Sequence, residues 1–425
     1  MKLNYKRTIL VGFAFFLISA FWQAYDTIVP LIITNKFNME QTYSGIIMSL
    51  DNIFAVILLP VFGTLSDKTM SRFGKRTPYI TVGTVLAALF LIFLGFTPKL
   101  ILFVFVLLAC LLSMATFRSP AVALMPDVTV KPLRSKGNAI INLMGTAGGM
   151  LVLGLGIVFK TSTPGKTDFS VYLISVSVLM YAALVVFLLT VKETLWASEA
   201  DAENEKLDAQ KGNEEEKKVV GKLTKSELTS LALILASVAL WYIGYNAITS
   251  KYSVYATDVL NVPYTVTLLV AQGAAIVSYI PVGMVASKFG RKKTILAGVL
   301  MLTTAFFAAS FIKAGTAPIV MYLLFSLAGI GWATINVNSF PMVVELAKGG
   351  DVGKYTGFYY TASMTAQIVT PILSGFLVDK IGWHIFFPYA TFFAGCAFVT
   401  MFFVKHGDSK PEAQSALEAL AGADD

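Results

Sequence analysis

Twelve long apolar runs dominate the sequence and restrict the fold more than any other feature. A helix that crosses a bilayer needs about 20 apolar residues, and backbone amides inside the bilayer must pair within the chain. The runs cover residues 8–34, 42–66, 78–97, 100–126, 137–159, 169–191, 227–250, 263–287, 293–313, 317–346, 355–378 and 383–404. The sequence therefore predicts an all-α membrane protein with twelve transmembrane helices.

The composition excludes most soluble classes of protein. Only 14% of the 425 residues are charged, against about 25% in a soluble domain, and 56% are apolar. Cys110, Cys396, His384 and His406 are isolated in the sequence, so we expect no metal site, no cofactor and no enzymatic activity. The net charge of +8 arises from short basic clusters between the runs. Such clusters set the orientation of membrane helices and do not indicate nucleic-acid binding.

A polar segment separates the first six runs from the last six. Residues 192–226 are rich in Glu, Lys, Asp and Ala, which is typical of a solvated linker. The predicted organisation has four parts: an N-terminal six-helix half at 1–191, a cytoplasmic linker at 192–226, a C-terminal six-helix half at 227–404 and a cytoplasmic tail at 405–425.

Lysine and arginine are distributed unevenly between the loops. The N-terminus, the C-terminal tail and the loops after runs 2, 4, 8 and 10 carry 18 of them, whereas the opposite loops carry 7. Basic segments close to spans remain on the cytoplasmic side. The expectation is a multi-pass protein of the inner or plasma membrane with both termini in the cytoplasm. The first run is long and lacks a cleavage site, so it is predicted to be a retained helix.

The two halves repeat each other at three corresponding places. The loop after run 2 contains Gly63-Thr-Leu-Ser-Asp67 and Arg72-Phe-Gly74-Lys75-Arg76, and the loop after run 8 contains a related stretch from Gly283 to Lys293. The loops after runs 4 and 10 share a carboxylate followed by a basic residue and a glycine. Runs 1 and 7 share a central Trp with a following Tyr and Asp or Asn. Such a duplicated six-helix unit is typical of alternating-access transporters.

The loop after run 2 also resembles a known family signature. Its Gly-x-x-x-Asp followed by Gly74, Lys75 and Arg76 resembles the loop signature of the major facilitator superfamily. The stretch from Ser66 to Ile80 is similar to the same loop in sucrose-type sugar transporters and in melibiose-type cation symporters of the glycoside–pentoside–hexuronide family. The resemblance implies two pseudo-symmetric six-helix halves and cation-coupled import of a glycoside, often a disaccharide such as sucrose or maltose.

The chain departs from these families at several positions. Melibiose-type permeases carry two carboxylates late in the second helix, where this chain has Ala55 and Leu59. Sucrose-type transporters carry an arginine five residues before the carboxylate that ends the fourth helix, where this chain has Val122. Ser287 replaces the acidic residue in the second copy of the loop signature. The coupling ion stays open between H⁺ and Na⁺, and H⁺ is favoured because one buried carboxyl group suffices to bind a proton.

Three charged residues, Asp26, Asp51 and Arg118, lie well inside apolar runs, where such groups usually face a cavity. Asp26 shares a helical face with Trp22 and Gln23, and all three are predicted to bind substrate. Asp26 and Asp51 are candidates for proton coupling, with a structural role as the alternative for Asp51. Arg118 is predicted to contact substrate or to pair with a carboxylate near the end of its own run. A direct pair with Asp26 is not expected, because their Cα levels differ by roughly 15 Å.

Aromatic and amide side chains form similar stripes in runs 7 and 10. A sugar ring stacks its C–H face on an aromatic side chain and directs its hydroxyls at amides and carboxylates. The predicted sugar contacts in the C-terminal half are Trp241, Tyr242, Tyr245, Asn246, Trp332 and Asn336. Packing in the core is the alternative for any one of the tryptophans.

The charged residues of the basic loops are predicted to form a cytoplasmic gate, since a carboxylate there can meet the positive N-terminus of a helix in the opposite half. The set is Asp67, Arg72, Lys75, Arg76, Asp127, Arg134, Arg291 and Glu345.

These observations predict a monomeric secondary transporter that imports a sugar with a cation. Its expected partners are the sugar, H⁺ or Na⁺, and the lipid bilayer, with no nucleic acid. The main alternative is an exporter or antiporter of another small molecule. Drug exporters of the superfamily carry a Gly-Pro signature in the fifth helix, and no proline lies within 137–159. A membrane-embedded enzyme or a non-transporting receptor is disfavoured, because neither a catalytic set nor a signalling domain is evident.

Overall fold

The computed structural model describes residues 3–210, 223–346 and 352–407, and over these residues it is all-helical. Among the described residues, eleven helices are long and apolar enough to cross a membrane, and a helix broken by a 49° bend raises the number to twelve when its two parts count as one span. The spans are α1 Tyr5–Lys36, α2 Gln41–Lys68, α3 Thr77–Phe96, α4 Leu100–Asp127, α5 Lys136–Val158, α6 Ser170–Thr190, α7 Lys225–Leu260, α8 Tyr264–Phe289, α9 Arg291–Ala309, α10 Pro318–Val344, α11 Lys354–Ile381 and α12 Trp383–Phe402. The prediction of an all-α protein with twelve spans is confirmed.

Irregularities in the helices recur at corresponding places. α1 ends in a π-helical turn at Ile32–Lys36, and α7 ends in another at Tyr255–Leu260. The bend in α8 lies next to Pro281, which has no amide proton for the helical ladder. The matching ends of α1 and α7 agree with the internal repeat that the sequence indicates.

The described residues form two compact units. The first contains residues 3–38 and 50–210, and the second contains residues 39–49, 223–346 and 352–407. α2 therefore begins in the second unit and continues in the first. The predicted tail at 405–425 and the later part of the linker fall mostly outside the described residues.

Glycines allow close helix packing inside each unit. A Cβ atom at Gly148 of α5 would lie 2.6 Å from the Phe16 carbonyl oxygen of α1. In the second unit, a Cβ atom at Gly298 of α9 would lie 2.8 Å from the carbonyl oxygen of Gly331 of α10. In a bilayer, such small residues bring helix backbones together and increase dispersion contacts. The glycines thus fix α1 and α10, which carry candidate site residues.

The first part of the linker is helical and has one buried side. Residues Glu193–Gln210 form a helix, named here the linker helix, that belongs to the first unit. Glu193, Trp196, Ala200 and Asn204 are buried at helical spacing along one side. Asn204 Oδ1 accepts a hydrogen bond of 2.9 Å from the Lys131 amide. The sequence pattern missed this helix because its buried stripe is narrow and includes two polar side chains.

α7 extends beyond the predicted run at 227–250 and includes Lys251, one of the seven basic residues expected in the less basic loops. Lys251 is fully buried, and its Nζ donates to the Gln41 carbonyl oxygen at 3.1 Å. Asp379 of α11 interacts with this charge and accepts hydrogen bonds of 2.8 and 2.7 Å from the amides of Gln41 and Thr42. The carboxylate therefore compensates the lysine and caps the positive N-terminus of α2.

Candidate functional site

Arg76 lies at the centre of a network in the basic loops of the first unit, and it is only 4% exposed. Its Nε donates to Asp127 Oδ2 at 2.8 Å, and its terminal nitrogens donate to Asp67 and Ser66. Lys75 Nζ lies 3.3 Å from the same Asp127 oxygen. Burial lowers the pKa of Arg76, but the hydrogen bonds and charges of Asp127 and Asp67 outweigh it and raise the pKa above its ordinary value. The guanidinium therefore stays charged.

Glu193, the first residue of the linker helix, completes this network and was missed from sequence. Its Oε1 accepts from the Arg76 amide at 2.8 Å, and its Oε2 accepts from the amide and hydroxyl of Thr77 at 2.8 and 2.7 Å. The carboxylate thus caps the N-terminus of α3. Gly74 has φ +107°, and a Cβ atom there would overlap the Glu193 carboxyl group. The glycine of the loop signature is required both for its backbone conformation and for this contact.

The remaining predicted gate residues of the first unit make contacts within their own loops. The Arg72 guanidinium lies 4.6 Å from the centroid of the adjacent Phe73 ring. Arg134 Nε donates to the Thr129 carbonyl oxygen at 3.2 Å. Four of the six predicted residues in this unit therefore meet in one network, and these two lie beside it.

The second unit contains a reduced copy of the same network. Arg291, at the start of α9, forms an ion pair with Glu345, which follows α10. This pair corresponds to Arg76 with Asp127. Ser287 stands where the first copy has Asp67, and its hydroxyl donates to the Met284 carbonyl oxygen at 2.9 Å. The second copy therefore has one carboxylate where the first has two, as the sequence predicts.

The three intramembrane charges of the first unit interact electrostatically. Asp26 interacts with Asp51, and Arg118 acts on both carboxylates. The Arg118 guanidinium lies 5.3 Å from the centroid of the Trp22 ring. Side chains lean toward the N-terminus of their own helix, and α1 and α4 run in opposite directions, so the Cα offset does not keep these side chains apart. Asp127, the carboxylate at the end of α4, is bound by Lys75 and Arg76, and the role of Arg118 as a substrate contact stays a prediction.

Trp22 and Gln23 lie half-buried beside this charge cluster on α1. The Trp22 ring packs edge-on against Phe21 and Tyr25, with 5.3 Å between centroids in each pair. Trp22 Nε1 is buried without a hydrogen-bond partner. α1 therefore presents an aromatic ring and an unused donor next to Asp26, as expected of a face that binds a polar ligand.

Two further polar side chains of the first unit were missed from sequence. The hydroxyl of Tyr25 is buried without a hydrogen-bond partner and interacts electrostatically with Asp51 and Asp26. Both amide atoms of Asn142, on α5, are also buried without partners. A polar residue inside an apolar run was the available signal in both cases. Over the described ranges of the chain, His, Cys, Asp and Glu form no cluster that would hold a metal ion.

An aromatic platform with two amides forms the corresponding face of the second unit. Tyr245 of α7 stacks on Trp332 of α10, with centroids 3.6 Å apart and an interplanar angle of 3°. Tyr242 meets the edge of Trp332 at 5.3 Å and 85°. Asn246 Nδ2 and Asn336 Oδ1 are buried without hydrogen-bond partners. The structure thus brings Tyr242, Tyr245 and Trp332 together, and Asn246 and Asn336 lie on the same two helices with one unpaired amide atom each.

Trp241 does not belong to this platform. Its side chain is fully buried. It shares a stripe of α7 with Ser237, whose hydroxyl lies 2.7 Å from that of Thr400 of α12, and with Gly244, where a Cβ atom would lie 2.9 Å from the Ala390 carbonyl oxygen. This stripe packs on α12, because residues at spacings of four and three share one helical face. Trp241 is therefore a core residue, which was the alternative to a sugar contact for each of the tryptophans.

Comparison with known proteins decides the family. A sequence model of the Major Facilitator Superfamily matches residues 11–337 and 264–422, which together cover most of the chain. The chain belongs to the major facilitator superfamily. This match confirms the resemblance of its loop signature, and the spans described above make this major facilitator protein a multi-pass membrane protein.

Individual relatives of this major facilitator protein have names that refer to different compounds. It is 31% identical over 163 residues to the chloramphenicol resistance protein CraA of Acinetobacter baumannii, covering 36% of the chain and 37% of that protein. It is 26% identical over 140 residues to the sucrose transport protein SUC3 of Arabidopsis thaliana, covering 28% and 24%. The chain thus matches well under half the length of these relatives.

The fold of this major facilitator protein is shared with solved transporters. A structure of the xylose transporter XylE from E. coli superposes with a TM-score of 0.69 at 14% identity, covering 98% of the chain and 99% of XylE. At this identity the likeness shows the fold alone.

Proposed function

We propose that this protein is a proton-coupled importer of a neutral sugar. The observation that carries the proposal is the platform of Tyr245 and Trp332, flanked by the unused amide atoms of Asn246 and Asn336. Flat aromatic faces suit the C–H face of a sugar ring, and one amide donor with one amide acceptor suits its hydroxyls. Trp22, Gln23 and Asp26 contribute further sugar contacts from the first unit.

The charges of the first unit support a proton as the coupling ion. Asp26, Asp51 and Arg118 together carry one net negative charge when both carboxylates are ionised, and one bound proton neutralises the set. Neutrality lowers the cost of holding these groups inside a membrane. An anionic substrate would meet repulsion here, whereas a neutral sugar would not.

The basic loops complete the proposal. The network of Asp67, Lys75, Arg76 and Asp127, and the pair of Arg291 with Glu345, act as gate elements on the cytoplasmic side of the cell membrane. Both termini are cytoplasmic in this arrangement, in accord with the distribution of basic residues. The name of the sucrose transport protein among its relatives supports a sugar as cargo.

Export of a small aromatic compound is the second candidate. The relative named for chloramphenicol resistance supports it, and an aromatic platform also binds aromatic ligands.

Purified protein in liposomes separates the two candidates. A panel of radiolabelled mono- and disaccharides is tested with an imposed proton gradient or an imposed sodium gradient. Accumulation of a sugar driven by the proton gradient is the expected result. Sugar uptake that requires Na⁺ and moves no protons would refute the choice of ion. No uptake of any sugar, together with chloramphenicol resistance in expressing cells, would replace import by export.

A further inference from the structure

Tyr25 is a buried tyrosine that has no role in the proposed transport mechanism described above. It lies on α1 beside Asp26 and is fully buried. Its ring stacks on Phe21, with centroids 6.2 Å apart and an interplanar angle of 17°, and it packs against the edge of Trp22 at 5.3 Å. These contacts fix the ring, so the hydroxyl occupies a defined position inside the first unit.

The hydroxyl of Tyr25 has no hydrogen-bond partner at that position. A buried hydroxyl without a partner has lost its hydration and regains nothing in the protein. Native proteins pair almost all such groups, and an exception needs an explanation. The unpaired hydroxyl is explained if it meets its hydrogen-bond acceptor in only one state of the transport cycle.

Three titratable groups interact electrostatically with Tyr25. Asp51 of α2 interacts with it most strongly, followed by Asp26 and then by Cys110 of α4, and Arg118 acts in turn on both carboxylates. The Cys110 thiol is a weak acceptor, and its own proton points to the Ala87 carbonyl oxygen at 3.5 Å. The carboxylates are therefore the acceptors available to Tyr25.

Asp51 retains the capacity for such a bond. The amide and the side-chain nitrogen of Asn52 both donate to Oδ1 of Asp51, at 2.5 and 2.6 Å. Neither bond uses Oδ2, which keeps its lone pairs for another donor.

We propose that Tyr25 is a positioning residue that donates a hydrogen bond to the Asp51 carboxylate once that group has released its proton. The inference rests on the proposed proton coupling and adds the group that promotes the release step. A phenol donor stabilises the ionised carboxylate more than the neutral acid, because hydrogen bonds to charged acceptors are the stronger ones. The phenol keeps its own proton throughout, so the proton that leaves is the one bound to Asp51.

Infrared titration of the purified protein tests the proposed hydrogen bond from Tyr25 to Asp51 and needs no sugar. The carboxylic C=O band that Asp51→Asn removes is followed against pH in wild-type protein and in Tyr25→Phe, which deletes only the hydroxyl. In Tyr25→Phe the band should disappear at a pH about one unit or more above that of the wild-type protein. This is the shift expected for loss of one hydrogen bond to a charged group. Thr84→Val and Tyr389→Phe are matched controls, since each removes another buried, unpartnered hydroxyl, and neither should move the band. An unchanged midpoint in Tyr25→Phe would overturn the inference.

Transport of radiolabelled sucrose provides a second readout. Exchange of internal for external sucrose needs no deprotonation, whereas net uptake does. Tyr25→Phe should therefore keep its exchange rate and lose net uptake several-fold, and it should have no further effect in an Asp51→Asn background. Equal loss of exchange and net uptake would indicate a packing role and reject the proposal. Wild-type uptake without proton movement would instead refute the proposed function, while the infrared result would still decide the role of Tyr25.

Discussion

Glu193 connects the linker helix to the loop signature, and its replacement should destabilise the first unit. The residue is 2% exposed and accepts three hydrogen bonds, from the amides of Arg76 and Thr77 and from the Thr77 hydroxyl. Loss of a helix cap costs about 0.5–2 kcal/mol, and one hydrogen bond to a buried charge contributes about 1.5–3 kcal/mol. Because the three bonds share one carboxylate, their contributions do not add, and Glu193→Ala should cost about 2–4 kcal/mol.

The matched control lies on the same helix. Glu199 pairs with Arg7, but the two side chains are 47% and 41% exposed. Glu199→Ala should therefore cost less than about 1 kcal/mol. Thermal unfolding in mild detergent is followed with a dye that reacts with the buried thiol of Cys110 as it becomes accessible. Equal unfolding temperatures for the two variants would refute the assignment of Glu193 as a cap.

Gly74→Ala tests the geometry of the same contact. The backbone at position 74 would have to keep φ +107° with a side chain attached, and the new Cβ atom would overlap the Glu193 carboxyl group. Backbone strain of this kind costs about 1–3 kcal/mol, and the overlap adds to it. In a Glu193→Ala background the overlap disappears, so the cost of Gly74→Ala should fall to the strain alone. The same cost in both backgrounds would show that the two groups do not meet.

Three further predictions concern topology, recognition and coupling. Cysteines at Lys99 and Lys166 should react with an impermeant reagent added outside intact cells, because their loops are the poorly basic ones, and labelling of Lys75→Cys instead would invert the orientation. Trp332→Ala should weaken sugar affinity by roughly tenfold through loss of a stacking face, measured by competition binding, and an unaltered affinity would remove the platform from the site. Sugar added to de-energised vesicles should make the medium more alkaline, and this signal should disappear in Asp26→Asn; a full signal in that variant would exclude Asp26 from coupling.

The positions of the spans follow from local sequence. A run of apolar residues must be helical inside a bilayer, whatever its neighbours are, so hydropathy alone located all twelve spans. The error at the end of α7 has the same origin. Lys251 interrupts the apolar pattern and predicts a helix end, but Asp379 and the Gln41 carbonyl oxygen compensate its charge from distant parts of the chain.

Side-chain partners depend on which helix faces which. Trp241 and Trp332 both lie near the centre of an apolar run, yet one packs on α12 and the other stacks on Tyr245. Helical periodicity tells which residues share a face, but it does not tell what that face meets. The same limit applies to Arg118, whose guanidinium lies over the Trp22 ring.

The sequence by itself determined the membrane class, the number of helices, the internal repeat and the loop signature with Asp67 and Arg76, because hydropathy, charge and spacing are properties of short segments. Only the tertiary structure decided that Glu193 caps α3, that Tyr25 interacts electrostatically with Asp51, and that Trp241 lies in the core. These contacts join residues far apart in the chain, and their existence depends on helix packing, which no local pattern encodes.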